Sequence, residues 1–179
     1  AKDLAKFIHT LQQIDSTGGP APGDHNFFRG IPLADRDGYT RAAIAESASL
    51  VDSDAVTTAW ERDLQAPVWR EPPVWIHGDL APGNLLALSG QLSGVIDWGG
   101  LAVGDPATEL LPAWNLFQRE SRGAFRAAIG VDDATWARGR GLALSVALVA
   151  LPYYLETNSA IVRWARYMID EVLEDHERG

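Results

Sequence analysis

The chain has 179 residues, with 15 Lys and Arg against 24 Asp and Glu, and therefore a formal net charge of −9. This length suits one sizeable core rather than two domains, and the acidity argues against a nucleic-acid backbone or an anionic membrane as the main partner. Because the chain contains no Cys, a disulfide scaffold, thiolate-bound zinc and a cysteine nucleophile are excluded. No uninterrupted apolar run reaches about 18 residues, so no transmembrane helix is expected.

The first part of the chain is predicted to be helical, with one long loop. Apolar spacing predicts a helix over 2–14. A second helix, capped by Asp37, is predicted to about Leu50, and a third, capped near Ser53, that buries Val56, Trp60 and Leu64. Between them, residues 15–36 carry a Gly- and Pro-rich stretch typical of a loop. A structureless connection of that length is unusual inside a compact domain, so we expect a functional or packed loop.

The middle of the chain changes to short strands, and helices follow it. Strands are predicted at Val74-Trp75-Ile76, Leu85–Leu88 and Leu92–Ile96, the last two joined by a tight turn at Ser89-Gly90. Four helices are then predicted, over Asp105–Phe117, Ser121–Ile129, Asp132–Ala150 and about Asn158–Glu174. The expected fold class is α+β and mainly α, with helices around a small antiparallel β-hairpin unit.

Several common catalytic and nucleotide-binding motifs are missing from the sequence. There is no G-x-S-x-G nucleophile motif and no H-E-x-x-H zinc motif. A Walker A loop needs a Gly-Lys-Ser/Thr sequence, whereas the only lysines are Lys2 and Lys6 on the first helix. No G-x-G-x-x-G follows a strand. P-loop and dinucleotide-binding functions are therefore excluded.

One region does carry a chemical pattern, His77-Gly78-Asp79-Leu80-Ala81-Pro82-Gly83-Asn84 followed by Ile96-Asp97-Trp98-Gly99. A two-residue turn at Ser89-Gly90 would place Leu88 opposite Gln91 and Asn84 opposite Val95. Asp97 would then share a face with Asn84 as a diagonal neighbour, about 7–8 Å away at the backbone. Oxygen ligands in that arrangement suit one Mg²⁺.

The polar residues of this region are given separate roles. Asp79 is predicted to point toward the same space as the Asn84 and Asp97 side chains and to bind a hydroxyl or accept a proton there. His77 is predicted to hold the loop through its ring nitrogens. Taken singly, Asp79, Asn84 and Asp97 also fit a turn or cap residue, a loop residue and a strand-end carboxylate. Their apolar surroundings favour a site, since buried polar groups need hydrogen bonds or metal.

The pattern resembles the catalytic loop of the protein-kinase-like phosphotransferases, H-x-D-L-x-x-x-N followed by D-F-G, with Trp98 in place of Phe. Gly78, the run Pro82-Gly83-Asn84-Leu85-Leu86 and the later Gly104-Asp105-Pro106-Ala107 are similar to the aminoglycoside phosphotransferase branch. The segment HNFFRGIPLADRD, from His25 to Asp37, and the final helices look like bacterial members of that branch. The resemblance extends over nearly all of the chain.

The resemblance implies an ATP-dependent, cytoplasmic enzyme that transfers the γ-phosphoryl group of ATP to a hydroxyl of a small molecule. It implies that Asp79 orients and deprotonates the acceptor, and that Asn84 and Asp97 hold the Mg²⁺ ions that bridge the ATP phosphates. Relatives also carry a β-rich lobe with a phosphate-covering loop and a strand Lys, for which this chain offers no residues. Residues 1–179 are therefore expected to form the C-terminal lobe alone, inactive without its nucleotide-binding lobe.

Two other functions stay open at this stage: a catalytically silent kinase-like module that binds a ligand, and a metal-dependent hydrolase built on the same carboxylates. The hydrolase would need more ligands, and the sequence offers only Asp105 and Glu109 nearby. The net acidity favours a polycationic acceptor such as an aminoglycoside, which would connect the protein with antibiotic resistance. Macrolides, amino sugars and choline-like alcohols stay open as acceptors.

Overall fold

The computed structural model describes residues 1–178, which form seven α-helices and two small antiparallel sheets. The helices are α1 (Lys2–Gln12), α2 (Asp37–Glu46), α3 (Ser53–Leu64), α4 (Pro112–Asn115), α5 (Arg119–Ile129), α6 (Asp133–Tyr153) and α7 (Ser159–Arg178). The strands are β1 (Val74–Ile76), β2 (Leu85–Leu88), β3 (Gln91–Val95) and β4 (Ala102–Gly104). Short 3₁₀ turns occupy Asp24–Asn26, Leu33–Arg36, Pro82–Asn84, Trp98–Gly100 and Pro106–Leu110. The predicted mainly α architecture around a β-hairpin is confirmed.

Helix α6 forms the centre of the helical core. It is apolar on most of its surface, and Leu144, Leu148 and Leu151 are completely buried where it packs against α2, α3 and α7. The sequence predicted that Pro152 would end this helix at Ala150, but the helix continues to Tyr153. Proline this close to the end removes only one hydrogen bond of the last turn, so the helix tolerates it there.

The predicted helix from Asp105 to Phe117 is divided in the structure. Asp105 does cap it, since its carboxylate accepts a hydrogen bond of 2.9 Å from the Ala107 amide. The first part is a 3₁₀ turn, and a separate short helix, α4, begins at Pro112. Pro112 has no amide hydrogen to continue an earlier helix, which explains the break.

The capping of two other helices differs from the prediction. Asp52, and not Ser53, caps α3, with its carboxylate accepting from the amides of Asp54 and Ala55. Asp37 makes no cap; its carboxylate instead accepts from the Trp60 indole at 2.7 Å, which joins α2 to α3. None of the described helices has the length and apolar character needed to cross a membrane.

The strands form two separate pairs. β2 and β3 make the predicted hairpin, whose turn residues Ser89 and Gly90 have positive φ, as a type I′ turn requires. β1 pairs antiparallel with β4, a strand that was not predicted because its three residues lie within an irregular segment. The antiparallel β1–β4 pair places Ile76, the end of β1, opposite Ala102 at the start of β4, and the catalytic-loop motif begins at the next residue, His77.

Candidate active site

The loop after β1 is held in one conformation by its glycine and by two buried neighbours. Gly78 has φ +80, and a Cβ at this position would lie 2.6 Å from the Gly100 carbonyl oxygen, so only glycine fits. The Gly78 amide donates to Glu109 Oε1 at 3.0 Å, and Asn115 Nδ2 donates to the Leu80 carbonyl at 3.0 Å. The backbone on both sides of Asp79 is therefore fixed.

His77 connects this loop to the end of the hairpin. Its ring is completely buried; Nδ1 accepts from the Asp79 amide at 3.2 Å, and Nε2 lies 3.0 Å from the Ile96 carbonyl oxygen. Because an amide donates to Nδ1, the proton must be on Nε2. Burial lowers the pKa of His77 below its ordinary value, which favours this neutral form. The Trp98 ring packs edge-on against it with a centroid distance of 4.7 Å.

Asp79 is the half-exposed carboxylate of the loop, with 38% of its side chain exposed. Its Oδ1 accepts from Arg29 Nη1 at 2.5 Å, and its Oδ2 accepts from Asn84 Nδ2 at 3.1 Å. Asn84 Nδ2 also donates to the Asp79 main-chain carbonyl, at 2.9 Å. The structure thus joins Asp79 and Asn84 directly and adds a cation, Arg29, that no sequence pattern placed at the site.

The predicted hairpin register is correct near the turn and wrong at the site. Leu88 does lie opposite Gln91, but a bulge shifts the pairing by one residue, so that Leu85 and not Asn84 faces Val95. The Ile96 amide donates to the Asn84 carbonyl at 3.0 Å, which places Asp97 directly after the residue bonded to Asn84. The prediction that Asn84 and Asp97 share a face of the hairpin rested on the unshifted register. Asp97 instead leaves the strand with left-handed φ and ψ of 63° and 67°.

Asn84 and Asp97 have the donor chemistry that a magnesium ion requires. The amide nitrogen of Asn84 is used toward Asp79, which leaves its Oδ1 as an acceptor, and the exposed Asp97 carboxylate makes no side-chain cap bond. Oxygen ligands of this kind suit Mg²⁺, which keeps several waters besides one or two protein ligands. Among residues 1–178, no group of three or more His, Asp or Glu side chains is gathered around a metal position.

Comparison with known families covers most of the chain. The profile of the phosphotransferase enzyme family (APH) matches residues 1–142. The chain belongs to this family. A comparison with curated proteins found no match.

Solved phosphotransferase structures share the fold of the chain. The GDP and kanamycin complex of APH(2″)-IIia superposes with a TM-score of 0.66 at 23% identity, covering 100% of this chain and 64% of that one. The GDP complex of aminoglycoside 2′-phosphotransferase-IIIa gives 0.64 at 20%, covering 98% and 63%. Macrolide 2′-phosphotransferase MphH from Brachybacterium faecium gives 0.56 at 20%, covering 94% and 58%. The chain therefore spans about three fifths of the length of these structures and has part of the kinase-like phosphotransferase fold.

Glu109 supports the loop after β1 from inside the core. It is completely buried, and desolvation raises its pKa to about 7 despite the hydrogen bond from the Gly78 amide. Its second oxygen, Oε2, has no hydrogen-bond partner among the described residues. From the sequence, Glu109 is a candidate only as a further ligand of a metal-dependent hydrolase. The structure shows it bonded to the loop backbone, and only its position four residues after the Asp105 cap could have suggested this.

Arg29 reaches Asp79 from the long loop 15–36, which is packed, as predicted for a loop of that length. Buried Asn26 stabilises the turn before Arg29: its Oδ1 accepts from the Gly23 amide and its Nδ2 donates to the Arg29 carbonyl. Arg29 Nη1 then donates to the Gly78 carbonyl at 2.7 Å as well as to Asp79. The sequence held no signal for this contact, because 49 residues separate Arg29 from Gly78.

Proposed function

We propose that this chain is the C-terminal lobe of an ATP-dependent O-phosphotransferase that transfers the γ-phosphoryl group of ATP to a hydroxyl of a small molecule. The observation that carries the proposal is the position of Asp79. Its half-exposed carboxylate lines a cavity of about 770 Å³ and is oriented by Asn84, which is itself bonded to the residue before Asp97. A base beside a ligand-sized cavity is what phosphoryl transfer to an alcohol needs.

Asp79 keeps the capacity to act as the base although it already accepts two hydrogen bonds. An ionised carboxylate offers about four lone-pair positions, and Arg29 and Asn84 use one on each oxygen. The acceptor hydroxyl can therefore donate to Asp79. As its oxygen bonds to the γ-phosphorus, the bond from that phosphorus to the bridging oxygen breaks, ADP leaves, and the hydroxyl proton passes to Asp79.

Asn84 and Asp97 are proposed to hold Mg²⁺, with Oδ1 of Asn84 and the Asp97 carboxylate as the ligand atoms. When bound, the ion would supply positive charge that offsets the charge of the phosphate oxygens. Arg29 is a cation bonded directly to Asp79, and its two bonds to the catalytic loop keep Asp79 in place. Phosphoryl transfer depends mainly on such positioning and charge neutralisation.

The nucleotide is proposed to need a further, β-rich lobe. The two lysines of this chain, Lys2 and Lys6, are both on α1. We therefore expect the chain alone to transfer no phosphate and to bind Mg-ATP or Mg-GTP with a Kd in the millimolar range, equivalent to roughly 4 kcal/mol. Isothermal titration calorimetry measures this directly, and a micromolar Kd would show that the chain completes its nucleotide site by another route.

Two substitutions test the division of labour in the protein with its nucleotide-binding lobe. Asp79→Asn should abolish most turnover while leaving nucleotide affinity nearly unchanged, because the base takes part in transfer and not in holding ATP. Asp97→Asn should weaken Mg-nucleotide binding as well. Asp170→Asn, an exposed carboxylate on α7, is the matched control and should change neither.

The outcomes separate the phosphotransferase from its main alternative. Equal loss of nucleotide affinity in the Asp79 and Asp97 variants would contradict the assigned roles. A wild-type protein that binds Mg-ATP and an acceptor but transfers nothing would be a silent binding module instead. Transfer is read as ADP release that depends on the acceptor, with the phosphorylated product identified by mass spectrometry.

A further inference from the structure

The cavity beside Asp79 is lined mainly by aromatic and aliphatic side chains. Its volume of about 770 Å³ lies in the range of ligand pockets for drug-sized molecules. The apolar wall comes from α6, the turn that follows it and α7, and consists of Val146, Val149, Tyr153, Tyr154, Ile161 and Trp164. A wall of this composition favours burial of apolar ligand surface.

The charged groups that line the cavity are predominantly cationic. Arg29 and Arg36 are set against Asp79, which is the one acidic residue of the lining within residues 1–178. Asp79 already forms an ion pair with Arg29 at 2.5 Å. The excess positive charge of the cavity therefore belongs to Arg36.

Arg36 is buried without an anionic partner. It is 9% exposed, and its hydrogen bonds go to Ser145 Oγ at 3.1 Å and to the Phe27 carbonyl at 3.2 Å, both neutral acceptors. No carboxylate of the described chain lies within ion-pair distance of it. Burial, together with the nearby Arg29, lowers its pKa to about 10, so the guanidinium stays charged at neutral pH. A buried charge without a counter-charge is costly, and a ligand anion in the cavity would offset that cost.

We propose that the acceptor is an apolar hydroxy compound that carries an anionic group such as a carboxylate, with its hydroxyl at Asp79 and its anionic group facing Arg36. This inference rests on the proposed function and adds the substrate class. It departs from the expectation of a polycationic acceptor, which followed from the net charge of the whole chain. The charge that a bound molecule meets is the local one, and a cation here would face two guanidinium groups and one carboxylate that is already paired.

Three ligands that share one ring system and one hydroxyl test the charge preference. Isothermal titration calorimetry on the purified chain compares 6-hydroxy-2-naphthoate, 2-naphthol and 6-(aminomethyl)-2-naphthol, which are anionic, neutral and cationic. Kanamycin is titrated beside them as a polycationic reference. We expect the naphthoate to bind most tightly and the aminomethyl compound at least about tenfold more weakly than the naphthoate. Equal or tighter binding of the cationic compound, tighter binding of kanamycin than of the naphthoate, or no binding of the naphthoate would overturn the proposal.

Two variants connect the preference with this cavity. Val149→Asp adds a carboxylate at a half-exposed position of the lining and should reduce the anion-to-cation preference about tenfold. Ile14→Asp makes the same change at an exposed position outside the cavity and should leave the preference unchanged. Arg36→Gln should make the naphthoate bind no better than 2-naphthol. Should that buried variant fail to fold, as judged by circular dichroism, Val149→Asp decides the question; an unchanged preference in Val149→Asp would overturn the proposal.

Phosphoryl transfer is a separate measurement that keeps the two proposals distinguishable. The same three compounds, and kanamycin as the aminoglycoside, are offered as acceptors, with Mg-ATP, to the protein with its nucleotide-binding lobe. Transfer to an aminoglycoside but not to the naphthoate would refute the substrate class and leave the phosphotransferase function in place. Binding in the expected order without transfer to any acceptor would support the anion-binding cavity and refute the proposed function.

Discussion

The buried carboxylate of Glu109 makes the stability of this protein depend on pH. Its pKa is raised from 4.5 to about 7 by burial, so the folded state holds a proton between these values that the unfolded chain has already released. The contribution of this proton to the free energy of unfolding is therefore fully present below about pH 4.5 and is lost as the pH rises through about 7. At about 1.4 kcal/mol for each unit of pKa, the loss at alkaline pH amounts to about 3 kcal/mol.

Glu109→Gln removes this titration and keeps an oxygen that can accept from the Gly78 amide. The substitution has its own cost, because the side-chain amide has no partner at the position of the unpaired Oε2, but that cost is independent of pH. We expect the free energy of unfolding of the wild type to fall, relative to the variant, by about 2–3 kcal/mol between about pH 5 and about pH 8.

Urea denaturation followed by circular dichroism measures the effect at four or five pH values. Glu156→Gln, at an exposed position, is the matched control and should follow the wild type throughout. Stability curves of wild type and Glu109→Gln that stay parallel from about pH 5 to about pH 8 would refute the assignment of a raised pKa to Glu109.

Two further predictions concern the glycine of the catalytic loop and the buried Asp105 ion pair, and both are measured by chemical denaturation. Gly78→Ala should destabilise the protein by more than about 2 kcal/mol, because φ is +80 and the new Cβ would lie 2.6 Å from the Gly100 oxygen. Gly123→Ala, in an open helical position, is the control and should be neutral or stabilising. Equal effects of the two substitutions would contradict the steric argument. Arg138→Met leaves the buried Asp105 carboxylate without its ion pair and should cost about 3–5 kcal/mol. A loss below about 1 kcal/mol, the value of an exposed pair, would show that water reaches Asp105.

Local sequence patterns determined most of the helices, the hairpin and the catalytic-loop motif. The Asp105 cap and the Ser89-Gly90 turn could be predicted because each depends on residues within four positions of it. The same short range explains the errors. The prediction that Asp37 caps α2 overlooked Trp60, whose indole, 23 residues away, donates to the Asp37 carboxylate. The predicted hairpin register assumed regular pairing, whereas a bulge shifts it by one residue.

The charge and support of the site were decided by the tertiary structure alone. Arg29 contacts Asp79 across 50 residues, and Glu109 contacts Gly78 across 31. Neither pairing leaves a periodicity or spacing in the sequence, because both partners are selected by packing and not by chain distance. The net charge of −9 likewise describes the whole chain, whereas the cavity beside Asp79 has a positive excess at Arg36. Coulomb interactions weaken with distance and with exposure to water, so a ligand responds to the few buried charges that the fold brings around it.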